Sequence, residues 1–320
     1  MELGFNSSMD LNVLRDDLAK IAARGIYVGT SSWKYPGWIG QIYDEQRYLY
    51  RGKVSVARFN RSCLEEYATV FKSVCVDAGY YQFPTSRQVE GLVAQVPDDF
   101  LFSFKVTEEI TASRFTNLPR YGPRAGRVND NFLDAMLFSG AFLKPLEPFK
   151  KNIGMLIFEF SRFYPGQFER GAEFVERLDE FLGQLPKGPQ YGIEIRNESF
   201  LHPDYFAVLG RHGVAHVFNN WTKMPPVSEQ AAIGGAFPAD GFGARFLLTP
   251  GRKYQEAVDA FQPYSETKQV DEDARAAGAA LMSRTPKGKS YIYVNNRLEG
   301  SAIRTIMAMI EKLKEGAAAV

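Results

Sequence analysis

Two glutamates stand at the ends of consecutive apolar runs, where carboxylates could carry out acid/base chemistry. Glu159 directly follows one run, and Glu194 lies near the end of the next. Two carboxylates that face one cavity raise the pKa of one of them, which is the arrangement that general acid and base catalysis needs. The alternative is that each glutamate pairs with Lys105, Arg196 or another cation in a structural network. The residue types alone leave both interpretations open.

Two cations also stand at the ends of apolar runs. A desolvated Lys105 could form a Schiff base with a carbonyl substrate, whereas pairing with Glu159 or with an anionic ligand is the simpler role. Arg196 is suited to an anion, because its guanidinium group can hold a carboxylate or a phosphate at two points. We therefore predict Glu159, Glu194 and Lys105 as catalytic groups and Arg196 as a ligand-binding residue.

Aromatic rings follow the first apolar run, in the segment YVGTSSWKYPGW. Trp33, Tyr35 and Trp38 lie close together there, just after the hydroxyl groups of Ser31 and Ser32. Such rings either fill one end of a core or form a stacking surface for a ligand. We predict that Trp33 contacts a ligand and that Trp38 packs in the core.

Asparagine pairs follow the sixth and eighth apolar runs, in the segments VFNN and YVNN. One asparagine of each pair can cap the turn with its own side chain, which leaves the other for a ligand. Together with the residues after the remaining runs, they complete a predicted ligand-binding set. Its members are Ser31, Trp33, Tyr35, Asp77, Tyr81, Arg196, Asn197, Asn220, Arg252, Asn295 and Asn296.

Metal chemistry has weak support in the sequence. The histidines His202, His212 and His216 show no ligand spacing with a carboxylate. Oxygen ligands from Glu159 and Glu194 could hold Mg²⁺, and beyond this alternative we predict no cofactor. The sequence also contains no Ser-His-Asp elbow, Walker loop or Cys-His nucleophile.

Eight short apolar runs position these residues. They span residues 26–29, 73–76, 101–106, 153–158, 191–195, 214–218, 244–248 and 291–294. Helical periodicity follows most of them, and nearly continuous apolar strands that alternate with helices indicate a parallel sheet covered by helices. The count of eight favours an α/β fold of the closed (β/α)8 TIM type over a doubly wound open sheet. The absence of a glycine-rich phosphate fingerprint after the first run agrees with this choice.

The chain of 320 residues is predicted to form one barrel domain with a short addition in front of it. We expect residues 1–25 to be an N-terminal extension containing a helix from 14 to 23, and residues 26–320 to be the barrel with long loops after its strands. Two cysteines without metal-type spacing and the lack of a signal peptide or a bilayer-spanning run predict a cytoplasmic protein with no membrane partner. The sequence does not predict the oligomeric state.

Positive charge is concentrated in two segments, although the formal net charge is only +1. Residues 46–61 contain five arginines or lysines, residues 111–129 contain four arginines, and neither segment contains an acid. Both segments follow predicted strands, so we expect an electropositive barrel mouth that attracts an anionic ligand. Nucleic-acid binding through the same two segments is the alternative.

The segment YVGTSSWKYPGWIGQIYDE resembles the signature of the domain of unknown function 72 family, the YecE-like proteins. The likeness continues through YGIEIRNESF, GVAHVFNN and YIYVNNRLEGSA, and it covers about residues 26–312. The resemblance implies a TIM-type barrel, in agreement with the strand count. It implies no reaction, because the family takes its name from having none assigned.

The chain departs from the family pattern at several candidate positions. The resemblance implies that Cys75 replaces a glutamate, Asp77 an asparagine and Glu159 a neutral amide. The stretch Leu248-Thr249-Pro250-Gly251 stands where R-L-H-G is usual, so an arginine and a histidine are absent there. The matching positions are Lys105, Asn295 and Asn296.

Three functions remain open on the sequence. The preferred hypothesis is an enzyme that acts on an anionic, ring-bearing small molecule such as a phosphosugar or a nucleotide. The second is a protein that binds or processes nucleic acid. The third is a non-catalytic barrel with a degenerate site.

Overall fold

The computed structural model describes residues 10–164, 166–168 and 171–318. In this part of the chain eight parallel strands close into a barrel, in which each pairs with the next and the last pairs with the first. The strands are β1 Ile26–Thr30, β2 Ser73–Val76, β3 Leu101–Lys105, β4 Ile153–Phe160, β5 Gln190–Ile195, β6 Ala215–Asn220, β7 Gly243–Phe246 and β8 Ser290–Val294. The predicted TIM-type barrel is confirmed, and the predicted strand limits agree to within two residues.

Helices surround the barrel and are joined to it by loops of unequal length. They are α1 Leu11–Ala23, α2 Glu45–Tyr48, α3 Val56–Val70, α4 Ser86–Val93, α5 Glu108–Thr111, α6 Ala135–Leu137, α7 Gly171–Gln184, α8 Pro203–His212, α9 Val227–Ala232, α10 Tyr254–Phe261, α11 Glu272–Met282 and α12 Ala302–Ala318. Between β1 and α3 a small antiparallel hairpin forms from Leu49–Tyr50 and Lys53–Val54. Single 3-10 turns cover Pro36–Trp38, Asp77–Tyr80 and Glu198–Phe200, and Pro119–Arg124 consists of two short 3-10 segments that meet at Gly122. A π-helix followed by a 3-10 segment covers Phe138–Leu143 and Lys144–Asn152.

The barrel strands are buried on both faces, which explains their nearly continuous apolar sequences. Met155, Ile157 and Tyr291 belong to a cluster inside the barrel. Leu156 and Ile292, their neighbours along the strands, belong to the larger core between strands and helices. This alternation is the strand period of two, so every second residue of a strand faces the interior. A polar residue at an inward position near the end of a strand therefore faces the barrel mouth.

A glycine in β1 allows the barrel to close. A Cβ atom on Gly29 would lie 2.0 Å from the Ser73 carbonyl oxygen of β2, a separation that no side chain tolerates. The glycine thus permits close pairing of β1 with β2, where Gly29 stands opposite Ser73. This contact positions the segment GTSSW at the mouth.

Amphipathic helices cover the outside of the barrel. In α3 the buried residues Phe59, Cys63 and Tyr67 recur at helical spacing, and the Ser55 hydroxyl caps the start by accepting from the Arg58 amide. In α12 Ile303 and Ile306 face the core in the same way. Periodicity in the sequence therefore predicted these helices correctly.

The predicted N-terminal helix is present as α1. Asp10 caps it by accepting a hydrogen bond of 2.9 Å from the Asn12 amide, and Leu14, Leu18 and Ile21 are buried against the core. No helix in the described residues has the length and apolar character required to cross a bilayer.

Candidate functional site

The barrel interior changes from apolar to charged toward the C-terminal ends of the strands. The Tyr293 hydroxyl lies 2.7 Å from both the Ser73 and the Ser103 hydroxyl oxygens and closes the uncharged layer. The next inward positions carry ionisable groups, which we call the mouth network. Its members are Asp77, Lys105, Glu159, Glu194, Arg196 and Arg245.

Arg245 holds the carboxylates of the mouth network together. Its Nη1 donates to Glu194 Oε2 at 2.7 Å and to Glu159 Oε2 at 3.1 Å, and its Nη2 donates to Asp77 Oδ1 at 3.0 Å. Only 2% of the Arg245 side chain is exposed. Glu159 and Glu194 are direct partners in the register of β4 and β5, which places both carboxylates within reach of one guanidinium group.

Two further cations complete the mouth network from its solvent side. Lys105 Nζ lies 2.6 Å from Glu159 Oε2. Arg196 Nη2 lies 2.7 Å from the same Glu159 oxygen and 3.1 Å from Glu194 Oε1. Three cations thus contact one carboxylate oxygen, and the three positive charges of the network equal its three negative charges. The sequence leaves two interpretations open for these glutamates, acid/base catalysis and ion pairing in a structural network. The geometry is that of the paired network.

The expected rise in a carboxylate pKa does not occur at Glu159. Burial acts to raise the pKa of Glu159, but Arg196, Lys105 and Arg245 outweigh it and hold that pKa well below its usual range. Glu159 is therefore ionised at neutral pH and cannot serve there as a resting proton donor. Its catalytic role therefore stays a prediction, restricted to accepting a proton.

Three of the positions at which the chain departs from its family resemblance, Cys75, Asp77 and Glu159, belong to this network or touch it. Asp77 supplies the third negative charge, and its side chain is the most exposed of the six at 36%. The Cys75 Sγ lies 3.7 Å from Asp77 Oδ1. Burial and the Asp77 carboxylate raise the pKa of the Cys75 thiol well above its usual range, so Cys75 is a neutral neighbour and not a nucleophile.

Arg245 is absent from the predicted set because it lies in the middle of an apolar run, whereas the predicted residues lie at the ends of such runs or just after them. It lies within the run GARFLL, and inward alternation from Gly243 sends its side chain to the mouth network. The family resemblance implies that an arginine is absent after the seventh run, whereas β7 itself contains Arg245. A single arginine inside an otherwise apolar strand was the signal that could have revealed it.

Two aromatic rings contact the cations of the mouth network. Lys105 Nζ lies 3.7 Å from the centre of the Tyr80 ring, and the Arg196 guanidinium lies 3.9 Å from the Trp221 ring. Neither ring is in the predicted ligand-binding set. The predicted Tyr81 stacks edge-on against Tyr80 and is 58% exposed, so it remains accessible beside the network.

The aromatic segment after β1 packs mainly against itself. Trp38 is fully buried, as predicted, with its ring centroid 4.8 Å from that of Tyr35 and 6.2 Å from that of Tyr43. Tyr35 also contacts Tyr264, and burial raises the pKa of the Tyr35 hydroxyl to about 12. Trp33 is only 7% exposed. Ligand contact by Trp33 and Tyr35 stays a prediction with little ring surface available for it.

Several other predicted ligand residues have structural contacts away from the mouth network. Asn197 forms two hydrogen bonds with the backbone of Phe163. Asn296 Oδ1 accepts at 2.7 Å from the amide of Ala302 at the start of α12. Arg252 donates to Gln269. Because these polar groups connect loops, their part in ligand binding stays a prediction.

Other mouth residues retain unused hydrogen-bonding capacity. Asn295 Oδ1 accepts from the Arg297 amide at 3.0 Å. The buried Ser31 hydroxyl, Asn220 Oδ1 and Asn296 Nδ2 have no hydrogen-bond partner among the described residues. Trp33 Nε1 and Arg252 Nη1 also lack a partner among the described residues, and these five atoms are the buried polar groups of the predicted set that a ligand could still engage.

A cavity of about 390 Å³ lies beside the mouth network, between the loops that follow β3 and β4. Tyr80 joins the two regions, since its ring contacts Lys105 and its hydroxyl lies 3.3 Å from the Ser161 hydroxyl in the cavity wall. The charged residues of the wall are Arg114, Arg120, Arg162 and Glu108. The lining therefore has more positive than negative charge.

The two arginine-rich segments differ in how their charge is compensated. Arg120 Nη2 lies 3.2 Å from Glu108 Oε2, and Arg124 Nη1 lies 2.7 Å from Glu109 Oε2. The acids of α5 stand just before the segment 111–129 and neutralise part of it. In the segment 46–61, Arg47 pairs with Glu65. The expected electropositive mouth is thus weaker than the count within the segments indicated.

No group of three or more potential ligands is arranged for a metal within residues 10–164, 166–168 and 171–318. At the suggested Mg²⁺ position between Glu159 and Glu194, Arg245 Nη1 already contacts both carboxylates. His216 is fully buried, which lowers its pKa to about 3, and its Nδ1 lies 3.0 Å from the Tyr205 hydroxyl. Between Glu159 and Glu194, the Arg245 guanidinium group thus provides the positive charge that Mg²⁺ would have supplied.

The fold and the site define a TIM-type barrel protein with a charge-balanced network at its C-terminal mouth. The sequence model for the protein of unknown function DUF72 matches residues 27–320, and the chain belongs to this family. No curated protein is similar to it in sequence.

Solved structures of the same family agree with the architecture. A DUF72 family protein from Enterococcus faecalis V583 has a TM-score of 0.59 at 18% identity, with 90% of this chain and 95% of that chain covered. One from Thermotoga maritima MSB8 has a TM-score of 0.56 at 20% identity, with 91% and 99% covered. At these identities the likeness supports the fold alone.

Proposed function

We propose that this protein binds a small, anionic, ring-bearing molecule, such as a phosphosugar or a nucleotide, at the barrel mouth. The observation that carries the proposal is the cavity of about 390 Å³, in which Arg114, Arg120 and Arg162 outnumber Glu108. Its volume lies in the range of pockets that hold small ligands. Cations in a concave wall attract an anion more strongly than the same charges on a flat surface.

The mouth network would contact the part of the ligand that projects from the cavity. Lys105 Nζ has a single hydrogen-bonded carboxylate partner at 2.6 Å, and Arg196 forms its contacts through Nε and Nη2. Each cation therefore retains N–H groups that can donate to a phosphate or carboxylate. The exposed ring of Tyr81 lies next to Tyr80 and offers a surface for the ring of the ligand.

Acid/base chemistry at this site would follow from competition for the cations. An anion that draws Lys105 or Arg196 away from Glu159 removes part of what holds the pKa of Glu159 down, so the carboxylate becomes a stronger base. Glu159 would then accept a proton from the bound molecule, and the Lys105 ammonium would return one. Glu194 would keep Arg196 in place through their ion pair of 3.1 Å.

A thermal-shift screen tests the binding proposal. Phosphosugars, nucleotides and dicarboxylates are added one by one, and the melting temperature is compared with that of the free protein. A ligand at about a hundred times its Kd stabilises by about 2.7 kcal/mol, which raises Tm by roughly 4 °C in a chain of this size. The double variant Lys105→Met, Arg120→Gln should lose most of that ligand-induced rise.

Lys72→Met is the matched control, because Lys72 is also a lysine in a 2.7 Å ion pair, with Asp99, but precedes β2 at the other end of the barrel. It should keep the full ligand-induced shift. If no compound stabilises the wild type more than the double variant, the proposed site is wrong.

The ion pairing of all three carboxylates in the mouth network favours a second candidate function, in which the barrel binds the molecule without catalysing a reaction. Every carboxylate in the network already has a cation partner, as in a purely structural cluster. Incubation of the stabilising compound with wild type and with Glu159→Gln, followed by NMR of the compound, separates the two. Conversion by wild type alone supports acid/base catalysis, and unchanged compound in both samples supports binding without catalysis.

A further inference from the structure

The hairpin between β1 and α3 presents cations in an unusual backbone setting. Its strands pair Leu49 with Val54 and Tyr50 with Lys53, and its two turn residues, Arg51 and Gly52, have φ angles of +52° and +75°. Two positive φ angles define the two-residue turn in which asparagine or glycine is normally preferred at the first position. An arginine at that position adopts a backbone conformation that it does not favour.

Two guanidinium groups are held over a half-exposed ring at this hairpin. The Arg51 and Arg58 guanidinium carbons lie 5.3 Å and 4.9 Å from the centre of the Tyr50 ring. Arg58 Nη1 also donates to the Leu49 carbonyl oxygen at 2.7 Å. Tyr50 is 51% exposed. The two guanidinium groups are therefore oriented by an aromatic ring and a carbonyl oxygen. Both partners are uncharged, so they do not neutralise the positive charge of the arginines.

The charge of this surface is not compensated locally. We call Tyr50, Arg51, Lys53, Arg58 and Arg61 the basic hairpin surface. None of its four cations forms an ion pair in the described part of the chain, whereas the adjacent Arg47 pairs with Glu65. A solvated surface normally mixes charges of both signs. Two guanidinium groups over one exposed ring, with two further exposed and unpaired cations on the same hairpin and helix, thus form a site for a polyanion.

We propose that the basic hairpin surface binds the phosphodiester backbone of a single-stranded nucleic acid. Guanidinium groups match phosphate oxygens in geometry and charge, and an exposed tyrosine among cations provides the ring on which unpaired bases stack. The surface projects from a hairpin and is not part of the cavity at the mouth, so it suits a chain that passes over it. The proposal does not depend on the proposed function.

Fluorescence anisotropy of a labelled oligothymidylate, measured over a series of salt concentrations, tests the proposal. Each phosphate contact with a single strand contributes about −0.7 to the slope of log K against log[salt], so four cations predict a slope of about −2.8. Arg51→Asn removes one cation and retains a residue that the turn accepts. It should reduce the slope by about 0.7, and Arg51→Asn with Arg58→Gln should reduce it by about 1.4.

The matched control is Arg124→Gln with Lys72→Met, which removes the same charge from cations outside both the hairpin and the cavity. Because Arg124 is paired with Glu109 and Lys72 with Asp99, the control should leave affinity and slope unchanged. A melting temperature in Arg51→Asn that is no lower than that of wild type shows that the hairpin variant is folded. The proposal is overturned by a lack of binding at low salt or by an equal loss of affinity in the control. Tighter binding of a duplex, or equal competition by polyglutamate, would overturn the choice of a single-stranded nucleic acid.

Discussion

The mouth network and the basic hairpin surface contain similar cations in opposite environments. Arg245 in the network is almost completely buried and contacts three carboxylates. Arg51 on the hairpin is exposed and contacts only an aromatic ring. A buried charge is costly unless it is paired, whereas an exposed charge is solvated by water and needs no partner. Burial thus determines which arginines of this chain are structural and which remain available to a partner.

This difference also explains why the two arginine-rich segments behave differently. Arg120 and Arg124 fold back onto Glu108 and Glu109 of α5 and brace the loop after β3. Arg51 and Arg58 extend from a hairpin that has no acid within ion-pair distance of them among the described residues. Two basic segments without acids of their own therefore produce one partly compensated loop and one uncompensated surface.

The largest effect is expected when one buried partner is removed. Arg245→Met leaves Asp77, Glu159 and Glu194 with two cations in place of three, and breaking a buried ion pair from one side typically costs about 3–5 kcal/mol. Urea denaturation measures the loss in free energy of unfolding. Adding Glu194→Gln to Arg245→Met removes one uncompensated charge and should recover part of that loss.

If Arg245→Met is as stable as the wild type, the three carboxylates do not depend on this guanidinium and the network is incorrectly described. The corresponding change on the hairpin, Arg51→Asn, should not lower the free energy of unfolding. Equal losses in both variants would remove the distinction between the two regions.

A change of intermediate size in the free energy of unfolding is expected when the pH is lowered. The pKa of Glu159 is lower in the folded chain than in the unfolded one, because Arg196, Lys105 and Arg245 overcome the effect of burial. A lowered folded-state pKa contributes stability that is present above the unfolded pKa of about 4.3 and is lost as pH falls below it. Denaturation curves between neutral and acidic pH should show this loss in wild type.

Glu159→Gln is the variant that isolates this contribution. Its free energy of unfolding should start lower at neutral pH and then decline less steeply than that of wild type on acidification. A parallel decline in the two proteins would mean that Glu159 is not held ionised by the network. The basic hairpin surface contains no carboxylate, so Arg51→Asn should follow the wild-type pH curve.

The fold could be predicted from the sequence because each strand is buried on both sides. The runs at 153–158 and 291–294 contain no charged residue at inward or outward positions, and both became barrel strands. The same rule located Glu159, Glu194 and Lys105, since polar residues at the ends of apolar strands must face the mouth.

The pairing at the site could not be predicted in the same way. Arg245 lies inside its strand and contacts residues on β4 and β5 and the turn after β2, so its partners depend on barrel closure and register. Glu108 and Glu109 lie immediately outside the segment whose charges were counted, and only the folded loop brings them to Arg120 and Arg124. Charge compensation is a property of three-dimensional neighbours, which a count along the sequence does not contain.

The smallest expected changes in the free energy of unfolding have opposite signs in the two arginine-rich segments. Arg124→Gln removes an ion pair of 2.7 Å between a half-exposed arginine and Glu109, so it should lower the free energy of unfolding by about 0.5 kcal/mol, and less at high salt. Arg51→Asn should raise it by a few tenths to about 1 kcal/mol, because asparagine accepts the left-handed backbone conformation more readily. Paired urea denaturations at low and high salt measure both changes. A loss of stability in Arg51→Asn would mean that Arg51 supports the fold through the Tyr50 ring, and the hairpin would then resemble the compensated loop.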